Sequence, residues 1–140
     1  MAQLTSFFPS SMMSSSEESL TLEVVAARLS YFFEQVHLLH LQTPSHAEHS
    51  ALGFWDYIVD AKDEILEKLM GYEGRKLKAY KIDLITDYAP GAPNKVVGEV
   101  KSFAKQLENF ADARGYGDIS NLAQSLGGEA AKTLYLLTQS

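Results

Sequence analysis

A chain of 140 residues with 46% hydrophobic content can bury the core of one domain unaided, and the absence of cysteine excludes disulfides, zinc-thiolate centres, iron-sulfur clusters and thiol nucleophiles. A formal charge of -6 makes it a poor general partner for DNA, because affinity for the phosphate backbone rests on lysine and arginine displacing counterions. No apolar run approaches the roughly 18 residues that span a bilayer, and the start lacks the basic and apolar regions of a secretion signal, so a soluble, cytoplasmic protein with no membrane partner is expected.

Residues 1–19 are rich in serine, contain Pro9, and carry two apolar islands, Phe7-Phe8 and Met12-Met13, without helix or strand period. They predict a mobile N-terminal arm, either without structure or docked on a neighbouring subunit through its phenylalanines. Residues 20–140 form the domain. From Ser19 or Thr21 to Gln42, the residues Leu22, Val25, Leu29, Phe32, Phe33, Val36 and Leu39 recur at steps that line one face of a helix. Pro44, with Thr43 or Ser45 as cap, opens a second helix running to about Met70, and so short a turn makes the two antiparallel neighbours. Gly71, Gly74, Pro90, Gly91 and Pro93 then punctuate a linker with room for one short helical piece. A third helix, about Asn94 to Ala113, aligns Val96, Val100, Phe103, Leu107 and Phe110. The fourth, capped by Asp118, turns Ile119, Leu122, Leu126, Ala130, Leu134 and Leu137 inward, with Gly127-Gly128 as a point of bending or breakage. The expected fold is all-α: a four-helix bundle with a long crossover between helices 2 and 3, which is ferritin-like connectivity.

On the second helix, His49, Asp56, Asp60, Asp63 and Glu67 fall in one narrow strip turned away from the arc of Leu52, Trp55, Ile58, Val59, Ile65, Leu66 and Leu69. Charges on the far side of an amphipathic helix are often simply solvated. Here, however, like charges stand at successive i,i+3 and i,i+4 positions, with Lys62 and Lys68 off the strip, and a bound cation would turn that repulsion into ligation. Among the histidines, His40 continues the apolar line of the first helix with His37 one turn before it, while His46 and His49 stand near the start of the second. Each can be read as a packed or capping residue or as a ligand. The basic stretch GRKLKAYKID, with Arg75, Lys76, Lys78 and Lys81, reads as a solvated loop or an intersubunit partner for acidic surface, and less well as a single-strand binding patch. Neither a phosphate-binding glycine loop nor a hydrolase elbow is present.

A first helix ending in His40, a second opening with His49, and the Asp63 and Glu67 pair in DEILE resemble the miniferritins, the Dps-like proteins. HLQTPSHAEHSAL is similar to the H-x-x-T-x-S-x-x-x-H-x-A-L pattern of a group of phage-associated ferritin-like proteins, and this is the closer match. The resemblance covers residues 20–70. The two histidines are closer together here than in the miniferritins, Lys68 stands at their arginine, and their basic DNA-binding tail is missing. The resemblance implies a ferroxidase that binds, oxidises or stores iron in a homo-oligomer, with histidines of one chain facing carboxylates of another across a two-fold axis. The implied ligands are His40, His49, Asp63 and Glu67, with Asp60 able to replace Asp63 and Asp56 an additional weak ligand. Iron is the expected metal, and manganese or zinc suits the same donors. The competing expectation is a non-enzymatic assembly or interaction module, in keeping with the phage-associated group.

Overall fold

Thr21 closes the first helix as its N-cap, its hydroxyl oxygen accepting a 3.1 Å bond from the Val24 N–H. The computed structural model describes residues 19–139, so the arm expected over 1–19 lies, but for its last residue, outside the described residues. Helix α1 (Leu22–Gln42) ends where Thr43 turns extended before Pro44, as the residue preceding a proline must. Four long helices pack together: α1, α3 (Phe54–Glu73), α4 (Ala92–Arg114) and α5 (Gly117–Thr138). All described residues outside the helices lie in turns, bends or irregular chain; no strand occurs among them.

The helix expected from Pro44 to Met70 is instead two helices. A single turn of α2 (His46–Ala51), capped by the Ser45 hydroxyl, is separated from α3 by Leu52 and Gly53. At the break the ladder tightens: Gly53 N–H bonds Ser50 O, Trp55 N–H bonds Leu52 O and Asp56 N–H bonds Gly53 O, each reaching back three residues. A Cβ at position 53 would stand 3.2 Å from the Ser50 carbonyl oxygen, so glycine permits the tight turn. Leu52 thereby drops fully into the core.

The faces read from apolar spacing are the buried ones. Leu22, Val25, Leu29, Phe32, Val36 and Leu39 of α1 meet Ile58, Ile65, Leu66 and Leu69 of α3 and Val96, Val100, Phe103 and Leu107 of α4 in one core. α1 packs chiefly on α3, and α4 on α5, with α3 against α5 and α1 against α4 closing the square. Gly127-Gly128 neither breaks nor ends α5; a Cβ at Gly127 would stand 3.5 Å from that of Ala104, an ordinary packing distance at the α4–α5 contact. Asp118 sits in the first turn of α5 and Tyr116 is its N-cap residue, without a capping side-chain bond.

The connection from Gly74 to Gly91 holds no helical piece. It is a crossover that climbs the outside of α1, and a row of polar α1 side chains holds it. Glu23 accepts bonds of 2.8 and 2.6 Å from the Arg75 guanidinium and one of 2.9 Å from Lys78 N–H. Ser30 pairs with the Tyr80 hydroxyl. The buried Gln35 amide accepts from Thr86 N–H and donates to Thr86 O, both at 2.8 Å, as a paired strand would. Gln42 accepts from Tyr88 N–H and donates to Asp87. Because the crossover runs the length of α1, α3 and α4 are parallel, and α1 with α3 and α4 with α5 are antiparallel hairpins.

The lower anchor is pH-dependent. The bidentate Arg75 bond, then the Lys78 amide, hold the Glu23 carboxyl down to about 2 from its ordinary 4.5. A lowered folded value contributes stability that is complete above 4.5 and is lost as pH falls towards about 2. Glu23→Gln is therefore expected to melt below wild type at neutral pH, with the gap in Tm closing between pH 4.5 and 2; a gap that stays constant would place the loss elsewhere.

Candidate functional site

The end of α1 and the short α2 bring two of the expected ligands into contact. His40 Nδ1–H donates to His49 O at 2.8 Å, and His49 Nδ1–H donates to His40 O at 2.8 Å. A carbonyl can only accept, so in each ring Nδ1 carries a proton, and Nε2 makes no hydrogen bond among the described residues. The rings stack with centroids 3.8 Å apart and planes 20° from parallel. This reciprocal arrangement fixes tautomer and ring plane together, as outer-shell carbonyls do for metal-binding histidines.

Sequence reasoning missed how much aromatic surface supports the pair. Trp55, at the start of α3, lies 4.3 Å by centroid from His37 and 6.4 Å from His40, and Phe33 stacks on His37 at 5.8 Å. His37 and Trp55 are half-buried and belong to the α1–α3 seam. The available signal was spacing: Phe33, His37 and His40 follow one another at helical steps. Glu48 secures α2 from below, accepting from the Thr43 and Tyr88 hydroxyls at 2.7 and 2.9 Å. The Glu48 bond raises the Tyr88 hydroxyl above its ordinary value. His46 is exposed in the first turn of α2.

The carboxylates stand apart from this pair. Asp56, Asp60, Asp63 and Glu67 are all exposed on the outer face of α3, and none forms an ion pair or side-chain hydrogen bond among the described residues. His49 does not share their strip: the break at Leu52-Gly53 separates it from α3 and lays it on His40. Within one chain, no three of the described histidine, aspartate and glutamate side chains gather to hold a metal ion. Two imidazoles thus converge in one place, and an acidic ridge faces outward in another.

The basic stretch is partly spent on the fold, since Arg75 is bound to Glu23, whereas Lys76, Lys78 and Lys81 are exposed. None of the described helices is long and apolar enough to cross a membrane. Compared with protein-family models, curated proteins and solved structures, the chain matches none.

Proposed function

We propose that the protein is a ferritin-like bundle that binds ferrous iron and oxidises or stores it at sites shared between two copies, the imidazoles of His40 and His49 from one chain facing Asp63 and Glu67, or Asp60, of the other. The observation that carries this reading is the reciprocal Nδ1–H bonding of His40 and His49, which leaves two oriented Nε2 donors with no partner among the described residues. The unpaired acids on the outer face of α3 supply the second half of a ligand set only if another copy meets them. The helix order, two antiparallel hairpins joined by a crossover along α1, supports the ferritin-like assignment.

In this reading ferrous iron is the substrate and loses one electron to dioxygen or peroxide. The imidazoles bind and orient it as neutral donors, so affinity falls on acidification. The hard carboxylate oxygens favour the more highly charged product, which promotes electron loss without any thiol. Titrating the protein with ferrous iron under air should give ferric absorbance well above the protein-free rate, and His40→Ala/Glu67→Ala should reduce it to that rate; oxidation unchanged in the double variant removes the assignment. A second reading, an assembly module without metal chemistry, is favoured by the apolar side chains exposed on the crossover, of which Leu84 is 90% exposed. Elemental analysis after iron loading separates the two, because only the first retains metal in proportion to intact His40 and His49.

A further inference from the structure

Between its anchors on α1, the crossover holds a stretch of backbone that the other described residues leave unpartnered. Glu23 binds Lys78 N–H and Gln35 binds both polar groups of Thr86, but the main-chain N–H and C=O groups of residues 79–85 have no partner among the described residues. Every one of these residues is exposed. The segment lies between the Lys78 anchor at Glu23 and the Thr86 anchor at Gln35, and no helix or turn occurs within it. A non-helical, exposed segment with unpaired N–H and C=O groups offers a β edge, and such edges recruit another strand.

The side chains specify which strand. Residues 79–85 read AYKIDLI, and turned back on itself about Ile82 this string is chemically self-complementary: Ala79 meets Ile85, Tyr80 meets Leu84, Lys81 meets Asp83 and Ile82 meets itself. In antiparallel pairing with a second copy, that register places each Lys81 ammonium opposite an Asp83 carboxylate, twice by symmetry. It also covers Tyr80, Ile82 and Leu84, which are 36%, 42% and 90% exposed in the single chain. The neighbouring symmetric registers are worse. Centring on Lys81 or on Asp83 sets like charges face to face, and centring on Leu84 puts Asp83 opposite Ile85.

We infer that the crossover is a self-recognising strand: two copies of this chain join by antiparallel pairing of residues 79–85 about a two-fold axis at Ile82. The inference needs no metal and uses neither the histidine pair nor the α3 acids, so it stands or falls apart from the iron reading.

The test is sedimentation of the metal-free full chain over a dilution series, with charge swaps across the axis. Wild type should dimerise. Lys81→Asp alone, or Asp83→Lys alone, sets like charges opposite each other on both sides of the axis and should weaken association about tenfold. The double variant Lys81→Asp/Asp83→Lys should restore it, because position 81 of one copy faces position 83 of the other. Both side chains are exposed, so far-ultraviolet circular dichroism should show unchanged helix in all three variants. Amide exchange in the wild-type dimer should slow at alternate residues within 79–85. A chain that stays monomeric throughout, single swaps without effect, or a double swap that fails to recover association would each overturn the inference.

Discussion

Phe103→Ala is expected to destabilise the fold by about 3–5 kcal/mol, read as a lower urea midpoint at unchanged slope and fixed protein concentration. Phe103 is 1% exposed and meets the fully buried Phe32 of α1 with ring centroids 5.8 Å apart and planes tilted by 59°. The Arg28 guanidinium lies over both rings, 5.2 Å from the Phe32 centroid and 5.1 Å from that of Phe103. Removing the Phe103 ring therefore loses its transfer free energy, leaves a cavity between two helices that cannot readily close, and takes away half of a cation–π partner worth about 0.5–2 kcal/mol. The place matters as well as the size. α1 is held chiefly by α3, and α4 by α5, so the Phe32–Phe103 contact is a main apolar link between the two hairpins. Against a total stability of about 5–15 kcal/mol for a domain of this kind, the loss is a large fraction. Phe103→Leu, which keeps most of the volume, should cost distinctly less; equal costs for the two would mean the site collapses without a cavity.

That link was legible in outline. The spacing of Val96, Val100, Phe103, Leu107 and Phe110 marks one face of a helix because only that face leaves water, and each of these residues is buried. What spacing could not show is interaction between chain segments far apart in sequence. Glu23, Ser30, Gln35 and Gln42 occupy polar positions of α1 that look merely solvated, yet they hold the crossover through partners some fifty residues away. The break in the second helix was invisible for a different reason. One glycine within a helical pattern costs only about 1 kcal/mol, so Gly53 marks no boundary unless something else gains from the bend. Here the burial of Leu52 and the docking of His49 on His40 both do. The candidate site divides along the same line: nearness of His40 and His49 followed from a helix end and a short turn, whereas their reciprocal bonds go to backbone carbonyls, which no residue pattern reports.

Those carbonyl acceptors make the histidine pair unusually clean to test. In His49→Ala the main-chain oxygen of residue 49 survives, so His40 keeps the bond that orients it, and His40→Ala spares the anchor of His49 in the same way. Each single variant thus deletes one imidazole donor and leaves the other in place. If both donors serve one ion, each variant should lower the affinity of the metal-free protein for zinc, a redox-silent probe, by about 100-fold or more, since even outer-shell changes at metal sites cost about 10–100-fold. His46→Ala, an exposed change beside the pair, should leave affinity as it was. Asp63→Asn and Glu67→Gln carry the intersubunit part of the proposal: among the described residues their carboxylates join no three-ligand group with the histidines of their own chain, so a comparable loss in these variants requires a second copy to bring them to the imidazoles. If the pair is instead only a clasp holding α2 to α1, the ring deletions should each cost the net worth of a hydrogen bond, about 0.5–1.5 kcal/mol of stability, with no effect on zinc binding. Calorimetric titration alongside urea unfolding distinguishes these outcomes, because the first moves affinity far more than stability and the second moves stability alone.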